Sequence, residues 1–278
     1  MSEFRASRLG RLSWTMFDWA NQPFYTLIMT FVFAVYFSDV FITGGDGAQK
    51  FTLTQTISGI LIAVLSPILG SISDLRGNRK RWMGFWSILF VIGMALLWYA
   101  YPAAPNGIWL VMFGLILAST AVGFGEVFNN SMITHIETKE NMGLLSGLGY
   151  GLGYIAGLIG LILFLILFVW PGGETNSLYG LNTSEYEHIR IIGPLCAAWY
   201  AFFIIPLFLF TPDTKSNQIS ILSSIKQGTT NLVNTFIELK NFKNIFIFLI
   251  ARLFFQDALN ALFVICLLYT SDAADEGL

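Results

Sequence analysis

Gly70-Ser71-Ile72-Ser73-Asp74-Leu75-Arg76-Gly77-Asn78-Arg79-Lys80-Arg81 lies between two long apolar runs that carry no charge of their own. A segment this polar does not rest in a hydrocarbon core, where every backbone group needs a partner within the protein. It reads as the turn at which one membrane helix leaves the bilayer and the next re-enters. Gly77 suits the sharp turn, and Gly70 suits a close approach of helices. A spanning helix needs about 20 apolar residues. Working outward from the loop, spans are expected at about 14–41, 53–73, 82–101, 108–128, 144–170, 191–210 and 245–265.

The rest of the composition agrees. The 278 residues are 55% hydrophobic, and 12% are charged, against roughly 25% in soluble domains. The fold class is therefore an all-α polytopic membrane protein. Net charge matters less than sidedness, because Lys and Arg concentrate in cytoplasmic loops. Arg5, Arg8, Arg11, Arg76, Arg79, Lys80, Arg81, Lys139, Lys215, Lys226, Lys240 and Lys243 fall on one side. Of the 15 basic residues only Lys50, Arg190 and the intramembrane Arg252 do not. This places the N-terminus, the 70–81 loop and the 211–243 segment in the cytoplasm, as in a multi-pass protein of a bacterial inner membrane. Ile219, Leu222, Ile225, Leu232, Phe236 and Leu239 recur at helical spacing, so 211–243 is expected to form amphipathic helices at the interface.

The arginines at the N-terminus precede an apolar run too long for a signal peptide, with no small-residue cleavage site. Cys196 and Cys266 give neither a disulfide framework nor metal spacing. His135 and His188 are lone loop histidines, without the ligand spacing of a metal site. There is no nucleophile–base pair, nucleotide loop or nucleic-acid patch, so no enzyme, cofactor or nucleic-acid partner is expected. The expected partners are membrane lipid and a small-molecule substrate.

Polar residues inside the spans carry the functional expectation. Asp18, Asn21, Gln22 and Tyr25 share one face of the first span, and Ser119, Gly123, Glu126 and Asn130 share one face of the fourth. The seventh carries Arg252, Gln256 and Asn260 on one face, with Asp257 beside Asn260. Intramembrane charges cost on the order of 2.5–3.5 kcal/mol on insertion scales and face a cavity or a partner. They either line a substrate or coupling cavity or form structural ion pairs, and Asp18 is near enough to its helix end to snorkel. Gly149, Gly153 and Gly157 repeat at four-residue spacing, which allows close helix packing.

The 70–81 stretch, G-x-x-x-D-x-x-G-x-R-K, resembles the signature loop of the major facilitator superfamily. Phe17-Asp18-Trp19-Ala20-Asn21, Leu145-Ser-Gly-Leu-Gly-Tyr-Gly-Leu-Gly-Tyr154, Val127–Asn130 and Ala251–Asn260 resemble the vacuole-effluxer-like branch of that superfamily. The resemblance implies the N-terminal six-helix bundle of a twelve-helix transporter plus helix 7. Helices 1, 4 and 7 would line the cavity, and Gly70, Asp74, Gly77, Arg79 and Lys80 would form a gating loop between the halves. Asp18 or Glu126 would take up a proton or bind a substrate cation, and Arg252 would bind a substrate carboxylate, which would suit amino-acid efflux. A sugar or lipid-like substrate remains open, as does a non-transporting receptor or assembly protein. One departure is Thr134-His135, where the branch has proline and then an acid, so a gating acid is not expected there. The expected divisions are 1–13 cytoplasmic, 14–210 the six-helix bundle, 211–243 the linker and 244–265 the first helix of the missing C-terminal half. Residues 266–278 resemble a translated sequencing adapter rather than native protein.

Overall fold

A computed structural model describes residues 5–102, 107–169 and 178–213, and beyond them parts of 223–258. No strand occurs among the described residues. The chain divides into two compact units, Met1–Ser224 and Ile225–Leu278.

Helix α1 (Arg8–Pro23) begins at Ser7, whose hydroxyl accepts the Gly10 amide at 3.0 Å, as an N-cap serine does. This cap starts the helix six residues before the expected apolar edge. Pro23 has no N–H to give and interrupts the α-helical ladder. Beyond it the chain continues as a π-helix over Phe24–Phe31, closed by the Val32 amide on the Leu27 carbonyl at 3.1 Å. A short α turn, Phe33–Val35, and a second π stretch, Tyr36–Phe41, complete the span. The segments Arg8–Phe31 and Phe33–Phe41 meet at 41°, so the first span is bent rather than straight.

The other helices of this unit are α2 (Gly47–Arg76), α3 (Arg79–Leu96), α4 (Gly107–Ile136), α5 (Met142–Phe164) and α6 (Ile192–Phe203, resumed after Ile204 as Ile205–Phe210). Among the described residues, five helices are long and apolar enough to cross a membrane, or six with the bent first one. Helices α2 and α4 overrun the expected spans at both ends. Thirty residues rise about 45 Å, while the hydrocarbon core is about 30 Å thick, so α2 and α4 carry their polar turns into the headgroup zone.

Helix α1 packs along α5, α2 lies on α4, and α3 packs against both α4 and α6. The α3–α4 crossing is tight because Gly93 and Gly114 meet. A Cβ added at Gly93 would lie 2.7 Å from the Gly114 carbonyl oxygen. Aromatic rings fill the centre, with Phe90 edge-on to Phe24 at 5.4 Å and against Tyr200 at 4.5 Å. At the end remote from the arginine-rich N-terminus, Arg190 is completely buried. It donates to the Trp98 carbonyl at 2.9 and 2.7 Å and sits 3.4 Å over the Tyr101 ring. His135, expected in a loop, is the second-last residue of α4.

In the second unit, residues 243–256 form a helix, α7, and the described residues between 228 and 238 are helical too. Most of 211–243, the outer part of the expected seventh span and all of 266–278 lie outside the described residues.

Candidate functional site

The π-helical turn that follows Pro23 sets Tyr25 toward α4, where its hydroxyl donates to Glu126 Oε1 at 2.7 Å. These two residues border a cavity of about 350 Å³, lined also by Phe24, Gln55, Ser119 and Asn130. Gly123 completes the α4 face, so Ser119, Gly123, Glu126 and Asn130 all border the same space. Helix α2 closes one side with Gln55, whose Oε1 lies 3.4 Å from Ser119 Oγ, and with Ser58. A carboxylate, a phenol and amides facing one cavity between apolar helices can hold a small polar solute.

Asp18 and Gln22 occupy a different place on α1. They face the glycines of α5. A Cβ on Gly149 would collide with Asp18 Oδ2, one on Gly153 would lie 3.3 Å from Asp18 Cβ, and one on Gly157 would lie 2.8 Å from Gln22 Cγ. The four-residue glycine spacing thus lets α5 close onto the polar stripe of α1. Asp18 and Glu126 remain near enough to act on each other electrostatically. Asn21, expected beside them, is buried away from the cavity, and its Nδ2 has no hydrogen-bond partner among the described residues.

The 70–81 loop turns as its glycine requires. Helix α2 runs through Asp74 to Arg76, Gly77 takes φ 67°, Asn78 is left-handed, and Arg79 begins α3. The Asp74 side chain is outside the described ones. Gly70 is not crowded: among the described residues a Cβ there would meet only Val127 Cγ1, at 3.9 Å. The free amides at the start of α3 are held by a residue that sequence reasoning missed. Asp213, just past α6, accepts the Arg79 and Lys80 amides at 3.1 Å each, while Lys80 Nζ donates to the Phe208 carbonyl at 3.0 Å. Its signal was a carboxylate directly after the proline that ends the sixth span.

Glu137 is a second missed residue. It follows α4 by one position and pairs with Arg5 at 2.7 Å and with Arg11, while accepting the Thr138 amide at 2.9 Å. An acid does stand after the fourth span, two residues beyond His135.

Among the comparisons with known proteins, the family described as vacuole effluxer Atg22-like matches residues 48–273, most of the chain. The chain belongs to the Atg22-like vacuole effluxer family. It is also 27% identical over 269 residues to a protein of Bacillus subtilis (strain 168) described as an uncharacterized MFS-type transporter, YxiO. That alignment takes in 94% of this chain, which spans 60% of the length of that relative. No solved structure matches. The family match begins in α2, so Asp18 and Tyr25 lie ahead of it, while Glu126, the glycine helix and the 70–81 loop lie within it. In this Atg22-like chain Arg252 and Gln256 stand one turn apart on α7, both exposed, and Asp257 and Asn260 are outside the described residues.

Proposed function

We propose that this chain is the first half, with the opening helix of the second, of a secondary transporter that carries a small solute by alternating access. The hydrogen bond from Tyr25 to Glu126 across the 350 Å³ cavity carries this reading. A transporter of this kind binds its substrate between two helix bundles near the membrane midplane. The open side of this cavity would be closed by the second bundle, and α7 would bring Arg252, Gln256, Asp257 and Asn260 to it. The 70–81 loop, with Gly70, Asp74, Gly77, Arg79 and Lys80, would gate the cytoplasmic side, and Gly149, Gly153 and Gly157 would let α5 slide on α1.

Amino-acid export with proton coupling fits these groups best. Glu126 would hold a substrate ammonium or a proton, Asp18 the coupling proton, and Arg252 a carboxylate. In the full-length protein reconstituted in vesicles, Asp18→Asn and Glu126→Gln are each expected to abolish substrate movement driven by a proton gradient. Full proton-driven transport in both variants would remove the coupling role. Uptake of sugars and not amino acids would redirect the substrate class while leaving the transporter reading intact.

A further inference from the structure

We propose that one anionic phospholipid binds along the flank of α1 and α5 that faces away from the cavity. Its phosphate would lie among Arg5, Arg8 and Arg11, and one acyl chain would lie in an apolar pocket beside Pro23 and Trp199.

The headgroup end is a cavity of about 260 Å³ at the arginine-rich end of the bundle, bordered by Arg5, Arg8, Arg11, Leu12, Leu144 and Leu148. Glu137 answers Arg5 and Arg11, which leaves three cations against one anion. Arg8 is exposed, with no ion pair or hydrogen bond among the described residues. Besides Glu137, Asn141 and the buried Leu145, the rim presents three uncovered leucines: Leu12 is 50% exposed, Leu144 76% and Leu148 44%. Basic pockets between membrane helices on the cytoplasmic side are the kind of place that holds a lipid phosphate. The bare leucines beside the arginines distinguish this one from a site for a free anion.

The flank is fixed by helix geometry. Successive residues on α5 lie about 100° apart. Gly149 and Gly153 face α1. Leu148, about 100° from Gly149 around α5, borders the arginine cavity together with Leu12 and is not among the residues that line the 350 Å³ cavity. On α1, Leu12 and Trp19 are seven residues apart and share a face, and Trp19 stacks on Trp199 of α6 at 6.3 Å.

The tail end is a second cavity of about 300 Å³ between α1, α5 and α6, bordered by Pro23, Leu27, Gly160, Phe164, Leu195 and Trp199. The Trp199 ring nitrogen, its one strong donor, is already given to the Trp19 carbonyl at 3.2 Å. A polar solute gains nothing there, whereas a hydrocarbon chain fits. Leu12 and Pro23 are eleven residues apart, about 16 Å along the helix. One leaflet is about 15 Å of hydrocarbon, so the two cavities are spaced as the headgroup and chain of a single lipid. A phosphocholine headgroup would bring a quaternary ammonium against the arginines, and phosphatidylglycerol would not.

Lipid retention is independent of what the transport cavity carries, so the test reads binding and not transport. The purified protein in detergent is mixed with equal amounts of dioleoyl phosphatidylglycerol and dioleoyl phosphatidylcholine, and bound lipid is counted by native mass spectrometry. One phosphatidylglycerol is expected to be retained in preference. Arg8→Gln is expected to lower its retention about fivefold, the factor that one basic residue contributes at an anionic surface. Leu195→Trp, which fills the apolar pocket, is expected to lower it as well. Both side chains are at least partly exposed, so both variants should elute as the parent does. Equal retention of the two lipids, or unchanged retention in Arg8→Gln, would overturn the proposal. Full displacement by millimolar inorganic phosphate, with Leu195→Trp unaffected, would assign the pocket to a free anion instead and overturn it too.

Discussion

Glu137 shows what a single side chain contributes outside the membrane. Burial pushes its carboxyl up, but hydrogen bonds from Arg11, the Thr138 amide and Arg5 outweigh this and hold it at about 2. A carboxyl lowered on folding stabilises the fold fully above its ordinary value near 4.5, and the contribution fades as pH falls toward 2. Thermal unfolding in detergent should therefore show the protein losing stability between pH 4.5 and 2. Glu137→Gln should be nearly flat over that window and weaker than the parent at pH 7, by roughly 1.5–3 kcal/mol for a hydrogen-bonded charge. An equal acid dependence in the variant would assign the effect elsewhere. The partners of Glu137 lie 126 and 132 positions away, so no local spacing announces them. Only the sign of the charge at the end of the fourth span, facing N-terminal arginines on the same side, was there to read. The burial of Arg190 was not legible for a related reason. It is satisfied by backbone carbonyls and aromatic faces rather than by an acid, and neither leaves a charge pattern in the sequence.

At the scale of elements, periodicity and apolar length reveal which stretches are helices but not where each one stops. Helix ends are set by polar partners, and these come from elsewhere in the chain. The start of α3 is the clearest instance. Asn78 supplies no side-chain cap, and Asp213 reaches across from the end of α6 to hold two amides instead. Replacing a capping carboxylate with alanine costs about 1 kcal/mol. Asp213→Ala should therefore lower the unfolding midpoint modestly and raise hydrogen exchange at the Arg79 and Lys80 amides, leaving the rest of α3 protected. No change in exchange at those two amides would remove the capping role. The glycine spacing of α5 was legible because it repeats every four residues. That Asp18 would fill the space it opens was not, since a spacing says what can approach and not what does.

Across the whole molecule, the order and number of the first six helices follow from hydropathy, because the hydrocarbon imposes one length on all of them. The expected sidedness rests on the basic residues alone and is open to a direct check. In a Cys266→Ser background, with Cys196 buried, Thr43→Cys between α1 and α2 and Lys139→Cys between α4 and α5 are both exposed positions. A membrane-impermeant thiol reagent should label Thr43→Cys on intact cells and Lys139→Cys only after the membrane is opened. The reverse pattern would invert the topology. The bend of the first span was not legible, since a proline inside a helix is compatible with a kink, a break or a π-helical stretch. Its outcome bears on how this gene can drift. A π-helical run holds one residue more than the α-helix it interrupts. Losing a single residue within Phe24–Phe31 would let the run close as α-helix with the flanking turns still in register, whereas losing one from the α-helical turns before Pro23 would swing everything outward of it by about 100°. Natural selection should therefore forgive a deletion in the π-helical run more readily than one in the α-helical turns that precede it.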